Sequence, residues 1–570
     1  MDGERAHLMR NDGGEALKRK QRRAGRCNRL VLLVILLLCV VVIAVPTAVI
    51  LSKKDDETPT NLPSAVKSDN IRKHLQMFQD IAIANNNSLT VHSRSVLDGY
   101  NESAFYVTEV LEAKGYQVTH QYFQLPLNYE SDGSSLSTSF QDIEFNFVQG
   151  TQFNVLRYSG HGTINTTLWV NTDVQGGCRN DTFTDIAPGQ VALLTYVSRD
   201  IANCSFYDLA LNAYQHGAGG IIIAYGPAFA SSAPSRTRIT GPNMQMDEII
   251  PLPMFSVSYA AGEQLKQMNS QGALTMNGFS NTEVVPAYTF NVLATLPRGN
   301  PGTTIVVGSH LDSVPAGPGI NDNGSGSSVN LELALQFADL DLQPKNKVMF
   351  AWWGAEEWGL VGSRHFVNTL SAGEKANISL NLNMDMLGSP NYFRGVYNGT
   401  AAPAGIETQS EAIMRILEET FCEKAVPYEI LPFTGRSDYG PFIDDIPPIP
   451  AGAVATGADG SKTQVERKEF GGFANVPYDT CYHQACDTID NVDFDVLQDM
   501  ADSVATALQV LLEEENMAEF LMQSTQSYEK ATSCIREKGS NPVIRDQSAG
   551  TATASATAAA DDPLSAGTCS

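Results

Sequence analysis

Residues 304–357 contain the three segments that decide the fold: TIVVGSHLD at 304–312, VNLELALQFADL at 329–340 and KVMFAWWGAEE at 347–357. The first and third carry short apolar runs, which are typical of buried strands, and the second has the apolar spacing of a helix. This order of strand, loop, helix and strand predicts an α/β domain. We therefore predict a mixed, partly parallel central sheet flanked by helices over residues 285–514, with its first part at 69–125.

Residues 126–284 differ in character from the segments on either side. Short β-like runs, TLWVN at 167–171, VALLTYV at 191–197 and GIIIAYG at 220–226, are separated by clusters of Gly, Asn and Asp. This pattern is typical of short strands joined by turns. It predicts a β-rich module inserted into the α/β domain.

Polar side chains follow both predicted strands of the opening segments. His310 and Asp312 end the first strand, and a Gly-rich loop then presents Asp322. Glu356 and Glu357 follow the second strand in an apolar setting, so at least one of them needs a cation or a proton. Imidazole and carboxylate groups suit zinc, and a carboxylate with two oxygens is able to bridge two ions. Asp312 is better placed as a partner that orients the imidazole of His310.

Two further segments supply the remaining candidate ligands. LNLNMDMLGSPN at 380–391 places Asp385 near the end of an apolar strand, and CYHQACDTID at 481–490 places His483 in a loop between cysteines. Alone, such residues are more often a helix cap and a structural histidine. Together, two His, two Asp and one Glu suit two zinc ions, with Glu356 beside them. The other histidines are interpreted as structural or surface residues: His7, His74, His92, His120, His161, His216 and His365.

Charge and hydropathy separate the N-terminus from the rest of the chain. Residues 1–29 carry nine basic and four acidic residues, whereas the other 541 carry 29 and 59. An acidic main body argues against nucleic acid as a partner. Residues 30–51 run for 22 positions without a charge, close to the ~20 that span a bilayer and longer than the apolar region of a cleavable signal peptide. Because basic residues precede this span, it predicts a single-pass type II membrane protein with a cytosolic tail at 1–29 and a stalk at 52–68.

The rest of the chain is then extracellular or in a vacuolar or lysosomal lumen, where glycans and disulfides form. Cys481 and Cys486 are close enough to bridge locally, and Cys178 with Cys204 is the next most plausible pair. An eighth sequon, at Asn323, lies inside the Gly-rich loop, where a glycan would obstruct the site, so we expect it to be unmodified. N-glycosylation is predicted at the other seven sequons: Asn86, Asn101, Asn165, Asn180, Asn203, Asn377 and Asn398. The low-complexity segment at 515–570 is predicted to be disordered.

From about residue 69 to residue 512 the sequence resembles the co-catalytic zinc aminopeptidase family, which includes secreted bacterial and fungal leucine aminopeptidases and the fungal vacuolar aminopeptidase Y. The run SHLDSVPAGPGINDNGSG, the EE pair, NMDM and YHQACD match that family in order and character. The insert resembles a protease-associated domain. The resemblance implies a zinc exopeptidase-like fold with two Zn²⁺ ions. It assigns the metal ligands in three groups: His310 and Asp385 to one ion, Glu357 and His483 to the other, and Asp322 to the bridge between them.

The resemblance also implies roles for four residues that do not bind metal. Glu356 becomes the general base, and Asp312 becomes the carboxylate behind the metal ligands. Tyr482 resembles a tyrosine that donates a hydrogen bond to the developing oxyanion. Arg436, in GRSDYGPF at 435–442, resembles an arginine that helps to bind the substrate.

These observations predict a membrane-anchored, zinc-dependent aminopeptidase that acts on peptides with a free N-terminus. One alternative is a carboxypeptidase acting on acidic C-terminal residues, because membrane-anchored relatives with the same order of modules do this. Those relatives carry a helical dimerisation domain after the core, whereas only 58 residues follow Leu512 here. A second alternative is a non-catalytic, receptor-like relative, which the loss of a ligand would indicate, and no ligand is lost. Peptide cyclisation by a single-zinc relative is disfavoured by the full ligand set.

Overall fold

The computed structural model describes residues 59–86, 90–141, 143–197, 201–202, 204–239 and 246–522, together with a short strand at 543–544. The predicted cytosolic tail at 1–29 and the predicted transmembrane helix at 30–51 lie outside these residues. Within them, no helix combines the length and the apolar character needed to cross a bilayer.

The described residues form the following strands and helices. The strands are β1 (Gln117–Glu130), β2 (Ser135–Phe140), β3 (Ile143–Asn146), β4 (Phe153–Val155), β5 (Gly162–Val170), β6 (Val191–Tyr196), β7 (Gly220–Tyr225), β8 (Met254–Val257), β9 (Thr275–Ser280), β10 (Thr282–Thr295), β11 (Asn300–His310), β12 (Asn346–Trp353), β13 (Ile378–Met384), β14 (Gly395–Tyr397), β15 (Glu429–Leu431), β16 (Ala451–Ala455) and β17 (Val543–Ile544). The helices are α1 (Leu62–Ala65), α2 (Ser68–Ala84), α3 (Tyr100–Glu112), α4 (Phe206–Gln215), α5 (Tyr259–Ser270), α6 (Gly326–Asp339), α7 (Val361–Thr369), α8 (Ala372–Ala376), α9 (Glu407–Lys424), α10 (Gly440–Ile443), α11 (Gln464–Phe470), α12 (Phe494–Glu513) and α13 (Met517–Met522).

The larger sheet is mixed, which confirms the predicted fold class. Its strand order is β1-β10-β12-β11-β13-β16-β14-β15-β17. The central strands β12, β11, β13 and β16 run parallel to one another, and β10 joins β12 antiparallel. Because the three strands that precede candidate ligands are parallel neighbours, their carboxyl ends meet at one edge of the sheet.

Strand β11 lies at the centre of the domain and is buried from Thr304 to His310. Its alternate residues enter different apolar clusters: Ile305 and Val307 join a large cluster that includes α2, α3, α6, α9 and α12, whereas Val306 joins a smaller one with α7 and α10. Alternation along a strand places these clusters on opposite faces of the sheet. Helices therefore cover both faces, as predicted.

The inserted module forms a second sheet with the order β3-β2-β9-β5-β6-β7-β8-β4. Two apolar clusters pack against it, one with α5 and one with α4. The predicted boundaries at 126 and 284 fall inside β1 and β10, which pair antiparallel from Gln117↔Thr295 to Glu130↔Thr282. This paired ribbon, rather than a flexible linker, joins the module to the larger sheet.

The predicted stalk ends earlier than expected, and the predicted disordered tail begins later. Within the predicted stalk, α1 is capped by Asn61, and Leu62 and Val66 are fully buried in the main core. At the other end, α13 buries Met517 and Leu521 against the same core, although the tail was predicted to be disordered from residue 515. In both places a short apolar pair within a polar segment is enough for the chain to pack.

Candidate metal centre

Loops at one edge of the larger sheet bring the five predicted ligands together. His310 is the last residue of β11, Asp385 directly follows β13, and Glu357 lies four residues after the end of β12. His483 arrives from a separate loop with a left-handed backbone (φ 58°), and the Cys481–Cys486 disulfide closes that loop. This disulfide was predicted and is confirmed, and Cys178 and Cys204, which the sequence indicated only as the next most plausible pair, also form a disulfide.

The donor atoms form two sets that share Asp322. Nε2 of His310 lies 3.3 Å from Oδ1 of Asp322 and 3.4 Å from Oδ1 of Asp385. Nε2 of His483 lies 3.2 Å from Oδ2 of Asp322 and 3.1 Å from Oε2 of Glu357. Each oxygen of Asp322 therefore faces a different imidazole, as expected of a carboxylate that bridges two ions.

These distances fit metal ligands. A tetrahedral ion with bonds of about 2.0–2.1 Å holds its ligand atoms about 3.3–3.4 Å apart. Donor atoms of His310, Asp322 and Glu357 all lie within 4.8 Å of one another. Oε1 of Glu357 is buried without a hydrogen-bond partner among the described residues. A buried group of carboxylates with such an orphaned oxygen needs a cation, and the donor set suits zinc.

The electrostatics of the centre show the same need for positive charge. Burial alone would lower the pKa of His310, but Asp385 and Glu356 raise it well above its ordinary value. Burial would raise the pKa of Asp322, but hydrogen bonds from His310 and His483 lower it below the usual carboxylate range. In this structure the protonated imidazoles stabilise the carboxylates, which is what bound metal ions would otherwise do.

Asp312 holds the segment that carries both glutamates. Its carboxylate accepts hydrogen bonds from the backbone N–H groups of Glu356 at 3.0 Å and Glu357 at 3.3 Å. The predicted partnership with His310 is shared between two groups, because Nδ1 of that ring lies 3.1 Å from the carbonyl oxygen of Asp312 and 3.8 Å from its carboxylate. Burial raises the pKa of Asp312 to about 7.

Glu356 lines the cleft beside the metal ligands. Burial raises the pKa of Glu356 well above its ordinary value; the charge of His310 opposes this rise, and the carboxylates of Glu357 and Asp438 add to it. A carboxylate that prefers to hold a proton is suited to accept one from water.

The two residues assigned to substrate lie on the wall of the same cleft. The ring of Tyr482 stacks on that of His483, with centroids 3.8 Å apart. Arg436 lies beside Tyr482, and its Nη1 is 3.5 Å from Oδ1 of Asp459. Apolar side chains of Met386, Phe393 and Leu431 line another part of this cleft.

Several supporting residues were not found from the sequence. Ser437 donates a 2.6 Å hydrogen bond to Oδ2 of Asp385. Asp487 accepts from the backbone N–H groups of Asn321 at 2.9 Å and Asp322 at 3.0 Å. Asp487 ends the YHQACD segment that was singled out, so that segment contained a usable signal. Ser437 follows the predicted Arg436 directly, but a lone serine carries no pattern of its own.

Arg94 is a further residue that was not predicted, and it holds the loop between His310 and Asp322 through hydrogen bonds to its backbone. It is fully buried and donates to the carbonyl oxygens of Leu311, Pro318 and Gly319. Asn323 is also fully buried, donates to the carbonyl oxygen of Met384 and accepts from the N–H of Gly326. A glycan on Asn323 does not fit this environment, which supports the prediction that it is unmodified.

The remaining predicted residues lie away from the centre. Of the predicted glycosylation sites, Asn86, Asn101, Asn165, Asn180 and Asn377 are exposed, Asn398 is half-buried and Asn203 lies outside the described residues. Of the other histidines, His74 is bonded to Tyr106, and His120, His161, His216 and His365 make aromatic contacts elsewhere. His92 is exposed and its ring faces the carbonyl oxygen of Ile83, and His7 is outside the described residues.

A mixed α/β sheet whose parallel strands and neighbouring loops bring two histidines and three carboxylates to one buried centre defines a metal-dependent hydrolase. Comparisons with known proteins refine this class. Residues 291–508 match the model of Peptidase family M28, and residues 166–265 match that of the PA domain. The second match lies inside the inserted module.

Individual relatives agree with these family models. An aminopeptidase of Pseudomonas aeruginosa is 34% identical over 456 residues, which cover 79% of this chain and 81% of that protein. Leucine aminopeptidase 2 of Trichophyton rubrum is 41% identical over 249 residues, 42% of this chain and 48% of that protein. Among solved structures, the aminopeptidase from Aneurinibacillus sp. strain AM-1 has the same fold, with a TM-score of 0.59 at 21% identity over 79% of this chain and 95% of that one.

The chain belongs to peptidase family M28. It is a metallo-aminopeptidase with a PA domain inserted into its catalytic domain, so the predicted class of enzyme is confirmed.

Proposed function

We propose that the chain is a di-zinc aminopeptidase in which Asp322 would bridge two ions. His310 and Asp385 would hold one zinc, and Glu357 and His483 would hold the other. The observation that carries this proposal is that the two oxygens of Asp322 face different imidazoles, at 3.3 and 3.2 Å. Imidazole nitrogen and carboxylate oxygen together favour zinc over calcium or magnesium, which take oxygen ligands.

Glu356 is the general base of the proposed reaction. Two zinc ions held by these residues would supply Lewis acidity, which would activate the attacking water and polarise the scissile carbonyl. Glu356 accepts the proton of that water and then donates it to the leaving amine. Asp312 positions this step, since it holds the backbone N–H groups of both glutamates. Tyr482 donates to the carbonyl oxygen as negative charge develops there.

The acidic side of the centre selects the end of the substrate. A free α-ammonium group is attracted to a cleft lined by Glu356, Glu357 and Asp385. The first side chain then packs against the apolar wall of Met386 and Phe393. This arrangement restricts cleavage to the N-terminal residue and favours an apolar one.

The test compares one peptide with a free N-terminus and the same peptide acetylated. We expect the free peptide to be cleaved at least a hundredfold faster, because acetylation removes the charge that the carboxylates attract. Equal cleavage of both peptides would reject the aminopeptidase assignment for this substrate.

Glu356→Gln tests the base, and Glu469→Gln is the matched control because Glu469 is an exposed glutamate outside the centre. We expect the first variant to keep its zinc and to lose kcat by three or more orders of magnitude, since the amide accepts no proton. The control keeps both zinc and activity. A normal kcat in Glu356→Gln would assign the base elsewhere.

The proposal includes the membrane anchor at 30–51, which lies outside the described residues. The uncharged span and the basic residues before it support a single-pass type II topology, with the catalytic domain extracellular or in a vacuolar or lysosomal lumen. The enzyme expressed in eukaryotic cells should remain in the membrane pellet after an alkaline wash. Release into the supernatant would show that residues 30–51 do not anchor the protein in a membrane.

A further inference from the structure

A second cleft adjoins the metal centre and carries the opposite charge. It meets the first cleft at Glu356, Glu357, Tyr482 and Arg436, which line both. Five arginines line this second cleft, and the first three belong to the inserted module: Arg157, Arg236, Arg238, Arg364 and Arg436. Such a group is unexpected in a chain whose net charge is −25.

The arginines are held close together although they repel one another. Arg238 donates to the carbonyl oxygen of Trp358 and crosses the backbone at Gly359, where a Cβ atom would lie 1.8 Å from its Nη1. Burial lowers the pKa of Arg238, and the charges of Arg157 and Arg364 lower it further, whereas Tyr158 and Glu356 act in the opposite direction. Burying like charges beside one another is unfavourable unless an anion joins them.

Acidic side chains near this group offset only part of its charge. Glu130 pairs with Arg236, Asp459 lies 3.5 Å from Nη1 of Arg436, and Glu248 and Asp444 act on Arg364 from nearby. Glu356 and Glu357 also line the cleft, but they serve the metal centre. Nε of Arg364 is buried and has no hydrogen-bond partner within the described part of the chain. Among the described residues, this nitrogen of Arg364 is therefore a desolvated donor without a partner in a cleft lined by arginines.

Electrostatics decide which end of a bound peptide enters this cleft. The α-ammonium group is attracted to the carboxylates of the metal centre and repelled by five guanidinium groups. Since the scissile carbonyl must lie beside Glu356, which borders both clefts, the part of the peptide beyond the scissile bond extends toward the arginines. Because both clefts are lined by Glu356, the residues that directly follow the scissile bond are the ones that reach the arginines.

We propose that the arginine cleft binds a carboxylate of the substrate on the leaving side of the scissile bond, one or two residues beyond it. Guanidinium groups suit this ligand because they form paired hydrogen bonds to carboxylates. The carboxylate is either the C-terminus of a short peptide or an acidic side chain. The proposal rests on the aminopeptidase function described above and adds a preference for the residues that follow the cleaved bond.

Four peptides distinguish the two sources of carboxylate from each other. Leu-Ala-Ala is compared with its C-terminal amide, and Leu-Glu-Ala amide is compared with Leu-Gln-Ala amide. We expect at least one acidic member to exceed its neutral partner about tenfold in kcat/KM, mainly through KM, as one charge-assisted interaction provides. Equal rates within both pairs would overturn this proposal while leaving the aminopeptidase function intact, whereas failure to cleave any peptide would count against that function.

Arg364→Gln and Arg157→Gln test the site itself, and Arg179→Gln is the control. Arg179 also lies in the inserted module, but it is exposed and paired with Asp181. In either of the first two variants the ratio of acidic to neutral kcat/KM should fall toward one, and the control should keep the wild-type ratio. A ratio that stays high in both cleft variants would place carboxylate recognition elsewhere and overturn the proposal.

Discussion

The two clefts that meet at Glu356 are built from opposite charges, and they obtain their compensation differently. The acidic cleft gathers buried carboxylates around two imidazoles, so it requires cations that stay with the enzyme. The basic cleft gathers arginines beside a buried donor that has no partner among the described residues, so the proposed anion arrives with the substrate. An uncompensated buried charge thus indicates a ligand, and the sign of that charge indicates whether the ligand is a cation or an anion.

The most severe way to break the acidic side is Asp322→Ala. Because both imidazoles face this carboxylate, its loss should release both metal ions and lower kcat/KM by about four orders of magnitude or more. Metal content by mass spectrometry and hydrolysis of a leucine peptide measure the two effects. Asp459→Ala removes an exposed carboxylate from the same cleft and should keep the metal. Retention of two ions in Asp322→Ala would contradict the bridging role.

Removing the metal should also change how stability depends on pH. Burial raises the pKa of Glu357, and it raises that of Asp312 to about 7, so without metal these acids favour the folded state when protonated. Their contribution is present below about pH 4 and is lost as the pH rises toward 7. Bound metal favours the ionised acids instead, so the difference in Tm between holo and chelated enzyme should widen by several degrees over that range. A difference that is constant with pH would show that these groups do not titrate on metal loss.

A milder change on the acidic side is Ser437→Ala. This variant removes the 2.6 Å hydrogen bond that orients Asp385 and leaves every ligand in place. Loss of such a bond behind a ligand weakens metal binding about tenfold to a hundredfold. A competitive chelator titration measures it, and excess zinc should restore activity. Unchanged metal affinity would mean that strand β13 positions Asp385 without help from Ser437.

The smallest expected effect is a difference between the two clefts in how kcat/KM depends on salt concentration. The basic cleft acts on a charge that arrives from solution, so raising NaCl from 0.05 to 0.5 M should lower kcat/KM for Leu-Ala-Ala about threefold relative to its amide. The metal centre is buried and its ions remain bound, so the amide should change little. Equal salt dependence of both substrates would remove the distinction between the clefts.

The acidic side was predictable from the sequence because four of the five ligands follow a strand, and the fifth, His483, lies in the Cys-flanked YHQACD segment that matches the family. His310, Asp322 and the EE pair all follow recognisable apolar runs, and parallel strands bring such ends together. Their chemistry is also restrictive, since few residue types bind zinc.

The basic side was not predictable in the same way. Arg238 and Arg364 are 126 positions apart in sequence and meet only because the inserted module packs beside the α7 segment. Nothing local distinguishes them from surface arginines. The burial of Leu62 in a polar segment was missed for the same reason, since its partners in the core are distant in sequence.

The ribbon of β1 and β10 also bears on how such an enzyme gains or loses its arginine cleft. Glu130 and Thr282 form the last rung of an uninterrupted antiparallel pair, and everything between them is the inserted module. A two-residue turn at that rung would close an ordinary β-hairpin. The module is therefore topologically excisable: a single internal deletion in the gene would leave a smaller peptidase with its complete ligand set and without three of the five arginines.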